Sequence, residues 1–197
     1  MTHIVYLHGF LSSSQSEKAQ ILKAEMARLN PSVAVAAPDI PLHPAQARDS
    51  LVTYLDQFPE PNPCLVGSSL GGFYGLWLAE QFNLKLVLVN PALRPQVTLP
   101  QHYTTVENPY SGEVITLDAG VQEELAAMAV APRLRNPKNY MLLTQTGDEV
   151  LDYQEAVSLL PESPHSIIPG GDHRFVQFEQ QVPNICRFFN IPITQVS

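Results

Sequence analysis

The chain has 197 residues, of which 45% are hydrophobic and 15% are charged. This length and composition are typical of one globular domain with a substantial core, and they exclude a disordered chain. The formal net charge is −8. It argues against a nucleic-acid-binding protein and against a binder of anionic membranes, because both need clustered positive charge.

The cysteines and the apolar segments indicate the compartment. The chain has only Cys64 and Cys186, both within apolar segments, which is not the pattern of a secreted domain held together by disulfides. No apolar run reaches the roughly 18 residues that a membrane span requires. The segment MTHIVYLHGF at the amino terminus lacks the basic stretch of a signal peptide. We therefore expect a soluble cytoplasmic protein.

Six apolar segments of strand length alternate with longer amphipathic segments. The apolar segments are continuous hydrophobic runs, as in parallel strands that are buried on both faces. We predict strands at residues 3–7, 33–37, 64–66, 84–89, 139–144 and 166–168, and helices at 16–29, 44–58, 70–82, 153–160 and 175–189. This alternation predicts an α/β fold, a mostly parallel six-stranded sheet with helices on both faces and right-handed crossovers.

A long stretch between the fourth and fifth predicted strands interrupts this alternation of strands and helices. Residues 91–138 carry several prolines and one predicted helix, near 121–130. A connection of this length inside a domain is usually functional. We therefore expect a single domain, 1–197, with a lid-like insertion at 91–138. Apolar side chains of the insertion are candidates for an acyl pocket, although Leu125 and Met128 also fit a helix face in the core; the candidates are Leu93, Tyr103, Tyr110, Leu125 and Met128.

The insertion also holds a group of basic residues. Arg94, Arg133, Arg135 and Lys138 lie in or beside it. A positive patch on an acidic protein would bind a phosphorylated leaving group such as coenzyme A. The simpler interpretation, which we favour, is a solvated surface. Arg94, Tyr110 and Met128 are our candidate substrate-binding residues.

The segment Gly67-Ser-Ser-Leu-Gly71 matches the pattern G-x-S-x-G between a short apolar strand and a helix. A nucleophile at such a turn adopts strained backbone angles, and the flanking glycines let neighbouring chain come close. The central Ser69 is the predicted nucleophile, and Ser68 is the rival candidate. The structural alternative is a turn with a capping serine.

A serine hydroxyl needs a base to become a nucleophile. His173 directly follows the last predicted strand, at the carboxyl end where active-site loops of open α/β sheets gather. His165 precedes the same strand and should lie at the opposite edge of the sheet. We therefore predict His173 as the base.

The base in turn needs a carboxylate to orient it. Asp148 is the first carboxylate after the strand at 139–144 and is the predicted acid. Its competitors are Glu149, Asp152 and Asp172, of which Asp152 also suits the N-cap of the next helix. The chain order Ser69, Asp148, His173 is the nucleophile, acid, base order of α/β-hydrolases.

Negative charge that develops on a substrate oxygen needs preorganised donors. The backbone N–H of Leu70, which follows the nucleophile, is one candidate. The second is the N–H of Phe10, in the loop after the first strand, where Gly9 lets the backbone turn. We interpret His8 as a structural residue of this loop rather than a second base.

The chain resembles an α/β-hydrolase of minimal form over its full length, and more narrowly the YqiA-type family of small bacterial esterases. The resemblance lies in YLHGF at 6–10, VGSSLGG at 66–72, VNPA at 89–92 with Arg94-Pro95, NPY at 108–110 and QTGDEVLDY at 145–153. It implies a serine esterase for small carboxylic esters or acyl thioesters, with Ser69, Asp148 and His173 as its triad.

No cofactor is implied, and the sequence has neither an H-E-x-x-H motif nor paired Cys/His spacing for a metal. We expect a small-molecule substrate and neither a nucleic-acid nor a membrane partner. Two alternatives remain at this point: an acyltransferase on the same fold, and a catalytically silent ligand-binding module.

Overall fold

The computed structural model describes residues 2–58, 62–99, 104–131 and 133–194. The strands, in chain order, are β1 (His3–Leu7), β2 (Ala34–Ala36), β3 (Cys64–Ser69), β4 (Leu86–Pro91), β5 (Thr104–Glu107), β6 (Val114–Leu117), β7 (Tyr140–Gln145) and β8 (His165–Ile168). Six of them form a wholly parallel sheet in the order β2-β1-β3-β4-β7-β8, as the sequence predicts. The chain runs from β1 outward to β2 and then back across to β3. The order therefore reverses between β1 and β3, which is where open α/β sheets bind ligands.

The helices are α1 (Glu17–Leu29), α2 (Pro44–Leu55), α3 (Leu70–Phe82), α4 (Pro95–Thr98), α5 (Ala119–Ala127), α6 (Tyr153–Leu159) and α7 (Val182–Phe188). The prediction of one helix over 175–189 is wrong. Phe175 and Gln177 have positive φ, a 3-10 turn follows at Phe178–Gln181, and α7 begins only at Val182. Pro183 lies in the first turn of α7, the one place where a helix tolerates a residue without an N–H, so the helix cannot extend upstream.

The strands bury both faces of the sheet, and the core has one layer on each. Alternate residues of β1 belong to opposite layers. Ile4 and Tyr6 pack with α1 and α7, whereas Val5 and Leu7 pack with α2 and α3. All four are at most 1% exposed. Burying a large apolar side chain contributes about 1.5–3 kcal/mol, so these two layers fix the strand ends on which the loops are mounted.

The insertion belongs to the α2/α3 layer. It contains an antiparallel hairpin of β5 and β6, which the sequence analysis missed, followed by α5. In β6 the exposed Val114 and Thr116 alternate with the buried Ile115 and Leu117. The buried side chains of the insertion join the core of that face; they are Ile115, Leu117, Val121, Leu125, Met128 and Leu134.

Among the described residues, no helix is both long and apolar enough to cross a bilayer.

Candidate active site

The turn between β3 and α3 holds Ser69 in a strained conformation, with φ 53° and ψ −123°. A non-glycine residue keeps such angles only where its surroundings hold it there. The flanking glycines let the turn close, because a Cβ on Gly71 would overlap the Leu7 carbonyl and one on Gly67 would overlap the Gly71 carbonyl. The N–H of Ala92, just beyond β4, donates to the carbonyl oxygen of Ser69 at 3.0 Å. The motif therefore forms the tight strand-to-helix turn that its sequence predicts.

Three side chains from three loops meet at this turn. The Oγ of Ser69 lies 3.1 Å from Nε2 of His173. The Nδ1 of the same ring lies 3.0 Å and 2.9 Å from the two carboxylate oxygens of Asp148. The loops follow β3, β8 and β7, so all three side chains lie at the carboxyl edge of the sheet. The hydrogen bonds form one continuous chain, which allows the ring to take the serine proton while the carboxylate fixes the tautomer.

The surroundings of Asp148 keep its carboxylate charged. Its side chain is only 2% exposed, and Oδ1 accepts N–H bonds from Val150 and Leu151, each at 2.9 Å. Burial acts to raise the pKa of Asp148. The bonds from His173 and from the two N–H groups outweigh it, so the pKa lies below its ordinary value. Asp148 is therefore ionised at neutral pH and accepts the Nδ1 proton of the ring.

The three competing carboxylates lie in other environments and do not bond the ring of His173. Glu149 accepts the backbone N–H of His173 at 3.0 Å and not a ring nitrogen. Asp152 is the N-cap of α6 and accepts the N–H of Gln154 at 2.9 Å. Asp172 has one buried carboxylate oxygen, with no hydrogen-bond partner in the described ranges of the chain. Only Asp148 reaches the His173 ring among these four.

Two buried amides that the sequence analysis did not single out hold the loop that carries His173. Asn90, at the end of β4, is 1% exposed and has φ 39°. Its Nδ2 donates to the backbone carbonyls of Asp172 at 3.0 Å and His173 at 3.4 Å. Its Oδ1 accepts from Thr144 Oγ1 at 3.2 Å and from the N–H of Gln145 at 3.0 Å. Asn90 therefore links β7 to the backbone of the base.

Gln145, at the end of β7, holds the same loop from the other side. Its Oε1 accepts the N–H groups of Asp172 at 3.2 Å and Val176 at 3.0 Å, and its Nε2 donates to the Val176 carbonyl at 2.8 Å. Its side chain is buried, so each of these bonds replaces one to water. The signal for both residues was an amide that ends an otherwise apolar strand, in LVLVN and YMLLTQ.

The loop after β1 runs directly beside the nucleophile. A Cβ on Gly9 would lie 3.2 Å from Cβ and 3.6 Å from Oγ of Ser69. Phe10 lines the same cavity as Ser69 and His173. Leu70 is the first residue of α3, so its N–H belongs to the first-turn groups that have no partner within the helix. Phe10 therefore lines the cavity of the nucleophile, and Leu70 directly follows the nucleophile at the start of α3.

His8 anchors this loop. It is buried, its Nδ1 lies 3.0 Å from the Gly9 carbonyl, and its Nε2 accepts the N–H of Ile40 at 3.1 Å. Burial lowers the pKa of His8, so its ring is neutral. This arrangement ties the loop after β1 to the loop after β2.

The candidate substrate-binding residues do not line the cavity that contains Ser69. Met128 is 2% exposed and belongs to the core with Leu125, because α5 packs against α2 and α4. Arg94 is exposed and pairs with Glu155. Tyr110 lines a neighbouring cavity of about 470 Å³. Tyr103 lies outside the described residues.

Two basic residues of the insertion, Arg94 and Arg135, lie in different places. Arg94 follows β4, at the edge of the sheet that carries Ser69. Arg135 precedes β7 and therefore lies toward the opposite edge, where its N–H donates to the buried carboxylate of Glu80, which also accepts from the Tyr140 hydroxyl. Arg94 and Arg135 therefore do not contribute to one patch, because they lie toward opposite edges of the sheet.

In residues 2–58, 62–99, 104–131 and 133–194, no group of three His, Cys, Asp or Glu side chains is arranged to hold a metal ion.

Sequence comparison identifies relatives along nearly the whole chain. The profile of the uncharacterised protein family UPF0227 matches residues 3–190. A UPF0227 protein of Shewanella sp. strain MR-7 is 26% identical over 196 residues, which cover 94% of this chain and 98% of the relative. A UPF0227 protein of Vibrio parahaemolyticus is 25% identical over 194 residues, with 95% and 99% covered.

Solved structures with the same architecture include several hydrolase-fold proteins. Mouse α/β hydrolase domain-containing protein 10 superposes with a TM-score of 0.73 at 20% identity, covering 95% of this chain and 89% of the other. Est1E of Butyrivibrio proteoclasticus, with ferulic acid bound, gives a TM-score of 0.71 at 13% identity, covering 96% and 88%. The esterase domain of a Rhodothermus marinus protein gives 0.69 at 18% identity, covering 95% and 85%. These likenesses confirm the predicted α/β-hydrolase fold.

Proposed function

This chain belongs to the UPF0227 family, and we propose that it is a serine esterase that cleaves small carboxylic esters or acyl thioesters through an acyl-enzyme on Ser69. One observation carries the proposal. The hydrogen-bonded chain from Ser69 Oγ through His173 to Asp148 begins at a strained strand-to-helix turn. Strain of this kind is retained where it positions a reacting group.

The reaction follows from this geometry. Oγ of Ser69 attacks the substrate carbonyl carbon while Nε2 of His173 takes the hydroxyl proton. The N–H groups of Phe10 and Leu70 stabilise the negative oxygen of the tetrahedral intermediate. As the intermediate collapses, the alcohol or thiol leaves with the proton from His173, and the acyl group stays on Ser69. Water, deprotonated by His173, then releases the carboxylic acid and restores the serine. Asp148 holds the ring in the required tautomer throughout.

The complete triad and the strained backbone of Ser69 favour an enzyme over a catalytically silent ligand-binding module, because binding alone does not require either of them. Hydrolysis and acyl transfer share the acyl-enzyme and differ in the acceptor. Methanol added to a reaction with 4-nitrophenyl butyrate separates them. An esterase turns over in water alone, whereas a transferase releases one equivalent of 4-nitrophenol and needs the alcohol to continue.

The direct test is turnover of 4-nitrophenyl butyrate by Ser69→Ala. We expect a loss of about a thousandfold or more, because no acyl-enzyme forms, with the fold unchanged by circular dichroism. Ser68→Ala is the matched neighbour, with a buried side chain one residue away, and should lose far less. Undiminished turnover by Ser69→Ala, or a larger loss with Ser68→Ala, would overturn the proposal.

A further inference from the structure

The cavity that contains Ser69 and His173 has a polar and cationic wall. Its volume is about 310 Å³, and four serines, Tyr6, Lys18 and Arg174 contribute to its lining. No carboxylate of the described residues lines it. An acyl pocket for a plain hydrocarbon chain is lined mostly by apolar side chains. This wall is instead suited to a substrate that carries polar or charged atoms near its ester group.

The two cations are available to a ligand. Nζ of Lys18 donates to the backbone carbonyl of Arg174 at 2.7 Å. Within the described ranges, no carboxylate oxygen lies within the 4.0 Å ion-pair distance of either head group. Three surface arginines, Arg28, Arg48 and Arg94, each pair with a carboxylate, whereas Arg187 bonds the side chain of Asn184. What distinguishes Lys18 and Arg174 is that both line the cavity of the nucleophile.

The position of Lys18 adds to its capacity for an anion. Burial lowers the pKa of Lys18 and the charge of Arg174 acts in the same direction, while the nearby charges of Glu17, Asp172 and Asp148 oppose this shift. A partly buried ammonium interacts more strongly with a ligand charge than an exposed one does. The same nearby acids reduce the net positive potential at Lys18.

The start of α1 faces the same cavity. Ser16, the N-cap residue, lines the cavity, makes no side-chain capping bond, and has a buried hydroxyl oxygen without a partner among the described residues. The first-turn N–H groups of a helix of 13 residues carry partial positive charge. This end of α1 therefore adds to the field of Lys18 and Arg174.

Building on the esterase proposed above, we propose that this site selects esters that carry a carboxylate close to the scissile bond, held by Lys18 and Arg174. The planar guanidinium of Arg174 suits a bidentate carboxylate, and Lys18 supplies a second charge. Since both residues share one small cavity with Ser69, the carboxylate lies only a few bonds from the reacting carbonyl.

Two matched pairs of substrates test whether the enzyme prefers an anionic ester and on which side of the scissile bond the negative charge must lie. On the acyl side, 4-nitrophenyl hydrogen glutarate is compared with its methyl ester. On the leaving-group side, 4-acetoxybenzoate is compared with methyl 4-acetoxybenzoate. We expect a higher kcat/KM for the anion in one of the pairs, falling as salt is raised. A preference for the neutral ester in both pairs would overturn the proposal.

Variants then locate the preference. Lys18→Gln and Arg174→Gln should each reduce the anion-to-neutral ratio of kcat/KM by about tenfold. Arg174→Gln keeps the backbone carbonyl that Lys18 bonds, so its effect does not come from a lost loop contact. Lys23→Gln makes the same charge change further along α1 and should leave the ratio at the wild-type value. Equal loss with Lys23→Gln would show a general charge effect and contradict the proposed site.

The outcome separates this inference from the function on which it rests. Hydrolysis of the neutral esters that depends on Ser69, without any preference for the anions, would remove the carboxylate site and leave the esterase intact. Absence of hydrolysis of all four esters by wild type would remove both.

Discussion

The carboxyl edge of the sheet and the insertion at 91–138 are both rich in irregular chain, yet they are held by different forces. At the carboxyl edge, the buried amides of Asn90 and Gln145 bond the backbone of the loop that carries His173. In the insertion, side chains such as Leu117 and Met128 are held by burial in the core. Hydrogen bonds are directional and set positions finely, whereas burial is not directional. We therefore expect changes at the edge to reduce turnover and changes in the insertion to reduce stability.

The largest effect should come from the acid of the triad. Asp148→Asn should lower turnover by roughly a thousandfold to ten-thousandfold, because the amide no longer stabilises the charged ring or fixes its tautomer. Asp152→Asn is the control, since that carboxylate only caps α6. Steady-state kinetics with 4-nitrophenyl butyrate measure both. A greater loss with Asp152→Asn would show that the acid lies one helical turn away.

Asn90→Ala should show an intermediate effect on kcat. Removing both donors and the acceptor frees the loop of His173, and a displacement of the base by a fraction of an ångström lowers kcat by roughly tenfold to a hundredfold. Asn90 does not line the cavity that contains Ser69 and His173, so KM should change little.

The control for Asn90 is Asn139→Ala. Nδ2 of Asn139 bonds Oδ1 of Asn83 at 2.9 Å on the exposed surface before β7. Its loss should leave kcat as in wild type. If Asn90→Ala lowers the unfolding free energy but keeps kcat, the amide stabilises the fold without positioning the base.

The same two regions differ in how much of their structure could be predicted from the sequence. The turn at Gly67–Gly71 was predictable because steric needs at Gly71 and the strain at Ser69 leave a short pattern that few other structures share. The strands were predictable because continuous apolar runs such as β4 are buried on both faces. The position of His173 followed from the rule that loops at the carboxyl ends of parallel strands meet.

The insertion was less predictable because its structure depends on distant contacts. Met128 has the same local pattern whether its helix face packs against other helices or against a ligand, and only the position of α5 against α2 and α4 decides. The hairpin left a signal in the alternation of β6, but four residues are too few for periodicity to be decisive. Arg94 and Arg135 both belong to the insertion, yet one follows β4 and the other precedes β7, so they lie toward opposite edges of the sheet.

Met128→Ala should affect stability and leave turnover as it is. Loss of this buried side chain should lower the unfolding free energy by about 2–5 kcal/mol, measured by urea denaturation. Turnover of 4-nitrophenyl butyrate, measured where the variant is folded, should equal that of wild type.

Tyr110→Ala is the exposed control within the insertion, with 69% of the tyrosine accessible. It should change the unfolding free energy by no more than about 0.5 kcal/mol. If Met128→Ala instead raises KM and leaves stability intact, α5 contributes to the substrate site and the contrast between the two regions fails.

The most direct test of the central claim is covalent labelling with a fluorophosphonate, which phosphonylates activated serines. After incubation at neutral pH, peptide mass spectrometry should place one phosphonyl group on Ser69, and labelling should be slower in Asp148→Asn because His173 is no longer oriented. Ser69→Ala should remain unlabelled. A phosphonyl group on Ser68, or an unlabelled wild-type protein, would contradict the triad that the geometry presents.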